Sequence, residues 1–276
     1  MLKKVWKVTK QLTQLSLVVF ISFGISFGIY KSVTENNRFP SGDEMRSLDN
    51  ISDDLGYKEA TAVNLSRHSI LQVLSGYPDD QGFAKMSGTY VEHDNRFYVI
   101  TAAHGIVGEC DELYVSTSDE QIYDCLRYII VDNDIDYAII EIEQVKDREP
   151  VVLRRAVPRN NEWLSESSVL SDVVYTGYPN GLGPLTFKGT IAGVSNENYI
   201  MLHSYAWPGS SGSGVFSYNG NMIGIIIALN VGWTAAGIDV LEDLVIVTPL
   251  FMIDWDTAYD IMDEPMPTGD TGDTGQ

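Results

Sequence analysis

"PGSSGSGVFSYNGNMIGIIIAL", residues 208–229, opens as a Gly/Ser tract and closes as one of the most apolar runs of the chain. By composition the first half is a linker, of the kind that joins domains and carries no chemistry. Its setting argues otherwise. "YIML" (199–202) lies shortly before it, and Val215 and Phe216 follow almost at once. A domain linker is not usually wedged between two apolar runs with no change of composition beyond it. Glycines there let the backbone turn tightly, so that N–H groups near a serine can converge on an oxyanion. Farther on, Asn219-Gly220 between two apolar runs is a strong hairpin signal. The stretch therefore reads as a loop that presents Ser211, followed by a β-hairpin.

Outward from this point the same texture continues. From Arg67 to Val247 short β-branched and aromatic runs alternate with Gly, Asn and Asp, among them "ILQVL" (70–74), "FYVIT" (97–101), "YIIVD" (128–132), "YAIIEI" (137–142), "DVVYTG" (172–177) and "LVIVT" (244–248). About a dozen such runs, with no long helical period, predict an all-β barrel or sandwich. One helix is expected at the end, in "TPLFMIDWDTAYDIM" (248–262). There Thr248 can cap and Pro249 can take the first helical position. Phe251, Trp255, Ala258, Tyr259 and Met262 then share a face. Residues 263–276 read as a disordered acidic tail.

Composition limits the function. At 44% hydrophobic residues the 276-residue chain can build a substantial core, and its formal net charge of −20 repels phosphate backbones. Nucleic-acid binding is therefore not expected. The charge is uneven, because every acidic residue lies beyond Lys31. Lys3, Lys4, Lys7 and Lys10 precede an apolar run from Leu15 to Tyr30, so residues 1–31 read as a signal anchor or a signal peptide. In both cases the lysines stay in the cytoplasm and the remainder is exported. Residues 32–66 are polar and read as a linker between that segment and a domain spanning 67–262. Cys110 and Cys125 suit an oxidising compartment, where a bridge is permitted; two separate buried thiols are the alternative. No metal site or cofactor is expected, since no further Cys or His stands at ligand spacing to the two cysteines.

A serine hydroxyl becomes a useful nucleophile when a positioned base takes its proton and a carboxylate orients that base. Of four histidines, His104 has the most particular setting, an apolar strand and two alanines in "FYVITAAHG" (97–105). His68 and His93 lie in polar stretches, and His203 sits at a strand end. Asp136 leads into the run Tyr137–Ile142 and is the acid candidate. Asp132 and Asp134 are rivals that alternation alone does not separate from it. Ser211 is the candidate nucleophile.

The set "TAAH", "DIDYAII" and "PGSSGSG", in that order, resembles the trypsin-like serine proteases of the chymotrypsin fold, and within them the bacterial Deg-type and glutamyl-endopeptidase-like branches. "GYPNGLGPLTFKGTIAGVS" (177–195) resembles the segment that precedes the nucleophile there. The resemblance implies two six-stranded antiparallel β-barrels, His104 as general base, Asp136 as its orienting carboxylate and Ser211 as nucleophile. It places an oxyanion hole at the backbone N–H groups of Gly209 and Ser211, and implies polypeptide substrates. By the same likeness Tyr205, six residues before the serine, is expected at the base of the specificity pocket, with Ala228 and Asn230 on its walls. No acidic group stands there, which disfavours a strict Lys/Arg preference. Ser210 replaces the Asp of the digestive enzymes, so activation by a freed N-terminus is not expected, and neither is a PDZ domain.

Overall fold

The computed structural model describes residues 41–77, 82–158, 162–234 and 237–265. Residues 41–50 fall in one compact unit and residues from Ile51 onward in another. The first unit contributes a single turn of helix, Gly42–Arg46, closed by a capping box between Ser41 and Glu44. The second unit holds all the described strands.

Among the described residues twelve strands make two barrels, and a thirteenth adds to the first. The first uses β1 (Ile70–Gly76), β2 (Phe83–His93), β3 (Arg96–Thr101), β4 (Leu113–Ser116), β5 (Ile122–Asp132) and β6 (Tyr137–Ile142), in the order β1-β4-β5-β6-β3-β2. The β1–β2 pairing closes the ring. A two-residue strand, β7 (Val151–Val152), adds to β2 in parallel, the one departure from antiparallel pairing among the described strands. The second barrel closes in the order β10-β13-β12-β11-β8-β9, from β8 (Asp172–Gly177), β9 (Leu185–Val194), β10 (Ile200–His203), β11 (Gly214–Ser217), β12 (Met222–Thr234) and β13 (Gly237–Pro249). The last two are far longer than the short runs "MIGIIIAL" and "LVIVT" suggest.

The most apolar runs are strands buried on both faces. In β6, Ile140 and Ile142 fill the first barrel, while Tyr137 and Ile139 face the core between the barrels. In β8 the same period of two sends Val173 and Tyr175 into the second barrel and Val174 into the shared core. This is why "YAIIEI" reads as continuous rather than alternating.

Glu141 interrupts that run, and it is buried with two partners. Arg96 donates through Nε at 2.7 Å and Nη2 at 2.6 Å, and Arg127 through Nε at 2.6 Å. Both arginines also reach the C-terminal helix. Arg96 Nη1 donates to the carbonyls of Met262 and of Glu264, the latter at 2.9 Å, and Arg127 Nη2 donates to Ile261 O at 2.9 Å. The helix end is thus closed by cations that take up its orphan carbonyls.

Two expectations change. The segment 32–66 is not simply a linker, because a helix, α1 (Tyr57–His68), packs on the barrels. Its apolar content is too low to read from sequence. It docks through small residues, Ala62 and Val63, and through polar contacts such as Ser66 Oγ to Thr176 Oγ1 at 2.7 Å. The C-terminal helix, α2, runs Trp255–Asp263 and starts later than expected. Thr248 and Pro249 instead finish β13, a 3₁₀ turn follows at Leu250–Met252, and Asp254 supplies the cap by accepting from Thr257 N at 3.1 Å. Ala258 and Met262 are buried, but Phe251 lies outside the helix and is exposed. Among the described residues no helix is long and apolar enough to cross a membrane. The anchor expected over 1–31 lies outside the described residues, as does most of the tail expected over 263–276.

Cys110 and Cys125 are joined in a disulfide, with Cα atoms 5.4 Å apart. It ties the turn before β4 to β5.

Candidate active site

β3 ends at Thr101, and a 3₁₀ turn, Ala103–Gly105, carries His104 out of the first barrel. Ala102 and Ala103 are fully buried, so the turn sits tight on the barrel while the imidazole stays half exposed. Asp136 grips that turn with both oxygens. Oδ1 accepts the His104 backbone N–H at 2.9 Å, and Oδ2 lies 2.8 Å from His104 Nδ1. This arrangement fixes the ring's orientation and leaves Nε2 as its other pole.

The same contacts set the two ionisations. Hydrogen bonding to Asp136 raises the His104 pKa above the usual imidazole value, against the opposing effect of burial, and Asp136's charge adds to the rise. Burial pushes the Asp136 carboxyl up, but the bonds from the His104 ring, from the backbone N–H groups of His104 and Ala103, and the attraction of His104 together hold it below the carboxylate range.

One rival of Asp136 is engaged elsewhere. Asp132 turns back on its own loop, its Oδ1 accepting Asp134 N at 2.8 Å and Ile135 N at 3.2 Å. The backbone at Asp136 is left-handed, with φ 59°. Residues 133–136 therefore form a turn rather than a strand, and period-two reasoning could not rank the three acids.

Ser211 comes from the second barrel, in the turn that enters β11. The turn is braced from within: Ser210 N donates to Trp207 O at 2.9 Å, and Trp207 N donates to Ser210 Oγ at 3.3 Å. On either side of Ser210, the N–H groups of Gly209 and Ser211 donate to no acceptor among the described residues. Two glycines are needed here. Gly209 has φ +95°, and a Cβ on it would stand 2.5 Å from Tyr178 O. Gly212 has φ +87°, and its Cβ would stand 2.0 Å from Ser87 O. The backbone is thus pressed against β2 of the other barrel.

Ser87, on β2, makes that contact specific, and sequence reading did not single it out. Its hydroxyl donates to Gly209 O at 2.7 Å and accepts Tyr178 N–H at 2.9 Å, while its backbone N–H donates to Ser211 O at 2.8 Å. One buried serine in the first barrel therefore pins the glycine-rich turn of the second.

His104 and Asp136 are brought together, whereas the Ser211 hydroxyl is hydrogen-bonded elsewhere. Its hydrogen bond runs to Ile227 O at a long 3.4 Å, and among the described residues none joins it to His104. Beside the serine opens a cavity of about 180 Å³ lined by Ala206, Trp207, Pro208, Ser210, Ile226 and Ala228. Ala228 lines this cavity, and Tyr205 does not. Tyr205 is 57% exposed and stacks on Trp207, with ring centroids 6.4 Å apart. The side chain of Asn230 lies outside the described residues.

Two closed six-stranded barrels, with a histidine–aspartate pair from one and a serine-bearing glycine turn from the other, define a chymotrypsin-like architecture. The profile of the trypsin-like peptidase domain matches residues 86–225, and the chain belongs to that family. Among solved structures it is similar to a serine endoprotease from Yersinia pestis, at 19% identity and a TM-score of 0.58, over 77% of this chain and 69% of that one. It is similar too to a protease from M. tuberculosis in its active form, at 18% identity and a TM-score of 0.54, over 75% of this chain and 86% of that one. At such identity these likenesses concern the fold. Among curated proteins no sequence matches significantly.

Proposed function

We propose that the protein is a serine endopeptidase that cleaves polypeptides through an acyl-enzyme at Ser211. The observation that carries this reading is the two-point grip of Asp136 on His104, beside a braced turn with two unengaged N–H groups. In the reaction the Ser211 hydroxyl swings from Ile227 O toward His104 Nε2 and gives up its proton as Oγ attacks the scissile carbonyl. The Gly209 and Ser211 N–H groups take the oxyanion, and Asp136 stabilises the imidazolium that forms. His104 then returns the proton to the leaving amine, and water repeats the sequence to release the acid. The apolar lining of the neighbouring cavity suits an uncharged side chain before the cut. Export by residues 1–31, as an anchor or a removed signal, puts the reaction outside the cytoplasm, where the Cys110–Cys125 disulfide persists.

The test is labelling of the full-length chain with a fluorophosphonate, with the adduct located by mass spectrometry. One adduct on Ser211, absent in His104→Ala, supports the proposal. No adduct on folded protein favours a second reading, a protease-fold binding module, for which the Ser211–Ile227 bond is the specific observation.

A further inference from the structure

On the far side of the β2–β3 hairpin from the glycine turn's bracing serine lies a second cluster of His and Asp that the reaction does not use. His93 ends β2, Asp94 opens the two-residue turn to β3, and Asp263 is the last residue of α2. The imidazole of His93 is 2% exposed and stacks on Tyr259 with ring centroids 4.5 Å apart, yet neither ring nitrogen has a hydrogen-bond partner among the described residues. Leaving such a buried polar atom unsatisfied is costly, which singles the residue out.

The surroundings of Nε2 suggest what satisfies it. Asp263 Oδ1 stands 3.4 Å away and Asp94 Oδ2 3.8 Å away, both carboxylates being more than half exposed. Neither oxygen is placed to accept an N–H bond. Ligands about 2.0–2.1 Å from a tetrahedral ion sit roughly 3.3–3.4 Å from one another. The His93–Asp263 separation already has that value, and Asp94 Oδ2 stands a little farther from Nε2, at 3.8 Å. The three ligand atoms all lie within 4.8 Å of one another.

We propose that His93, Asp94 and Asp263 bind a divalent transition-metal ion of the zinc type, with water in the fourth position. One imidazole and two carboxylates suit zinc or cobalt, whereas calcium prefers an all-oxygen shell of six to eight ligands. The ion clips the end of α2 to the β2–β3 hairpin, a joint that Arg96 also holds. Arg154 is the local competitor. Its Nη2 lies 3.1 Å from Asp94 Oδ2, but its side chain is 63% exposed and can yield that oxygen at little cost. Because His93 Nδ1 has no partner to fix the ring from behind, the affinity falls about 10–100-fold below that of a fully supported site.

Thermal unfolding of the metal-free, full-length chain, titrated with Zn²⁺, tests the proposal. At 100 times Kd the Tm rises by about 5–10 °C, and Co²⁺ in place of Zn²⁺ develops visible d–d absorption. The rise persists in His104→Ala, which separates this cluster from the His104–Asp136 pair. It is lost in Asp263→Asn and Asp94→Asn, surface changes that leave the fold in place if His93→Gln does not. Absence of any shift overturns the proposal, as does a shift that survives Asp263→Asn or an equal one with Ca²⁺. Failure of the Ser211 reading leaves these outcomes untouched.

Discussion

The first barrel holds two histidines near aspartates, and they are opposites. His104 is half exposed, and Asp136 meets its Nδ1 at 2.8 Å and its backbone N–H at 2.9 Å. His93 is buried, and its nearest carboxylate oxygen stands 3.4 Å away without a hydrogen bond. The difference follows from what each pair is attached to. His104 and Asp136 sit in turns at adjacent strand ends, which are free to aim side chains at one another and at a cleft. His93 lies within a hairpin covered by α2, so its ring is placed by packing on Tyr259 and its carboxylates come from the rim. A shared residue pair therefore has two meanings, and geometry decides between chemistry and scaffold.

The sharpest way to break this contrast is to remove each histidine in turn. His104→Ala is expected to lower kcat about 10⁴–10⁶-fold with little change in Tm. His93→Ala is expected to do the reverse, lowering Tm by several degrees through loss of a buried ring while kcat/KM stays within about threefold. Peptide turnover and calorimetry on both variants check it. Equal losses of activity would merge the two pairs into one functional unit.

Asp136→Asn comes next in size. Asn tolerates the left-handed backbone there, so the turn survives while the ring loses its anionic anchor. Turnover is expected to fall about 10³–10⁴-fold. In the wild type kcat/KM should rise with pH through a midpoint above the ordinary imidazole value of about 6.5, since His104 must be neutral to accept the proton and its pKa is raised. In Asp136→Asn that midpoint should move down. A pH–rate profile in which the variant keeps the wild-type midpoint would show that another group titrates.

Ser87→Ala is expected to have a smaller effect, about 10–100-fold. Ser87 does for the glycine turn what Asp136 does for the imidazole, holding it without touching the substrate. Its loss frees Gly209 O to reorient and lets the Gly209 N–H leave the oxyanion position. The fall should therefore appear in kcat with KM little changed. A change confined to KM would assign Ser87 to substrate binding instead.

How much of this was legible follows from where each constraint lies. "YAIIEI" and "MIGIIIAL" announce strands buried on both faces, and "TAAH" and "PGSSGSG" mark turns at strand ends, because those features are local in sequence. The helix Tyr57–His68 was missed since it docks through Ala62, Val63 and a Ser66–Thr176 bond rather than an apolar stripe. Thr248 and Pro249 carried a helix-start pattern, but pairing to Ile225 and Gly224 kept them in β13. The bracing role of Ser87 and the approach of Asp263 to His93 were not legible for one reason. Their partners lie far away in the chain, Ser87's 91 and 122 residues on, and only the closed barrels bring them near.

The smallest expected effect concerns stability, and it runs against the intuition that a hydrogen-bonded ion pair holds a protein together. His104 has a raised pKa in the folded state, so its contribution is present below the unfolded value near 6.5 and is lost as pH rises through the folded pKa. Asp136 has a lowered pKa, so its contribution is present above the unfolded value near 3.9 and is lost as pH falls through the folded one. The two overlap most fully between about pH 4 and 6.5. The imidazole is half exposed, however, and screening leaves little of the pair's contribution. The Tm difference between wild type and Asp136→Asn should peak in that window at no more than about 4 °C, and shrink on either side. Calorimetry from pH 3 to 9 measures it. A difference that is large, or that grows toward pH 9, would mean that Asp136 supports the barrel itself. The contrast with His93, where the scaffold role is assigned, would then dissolve.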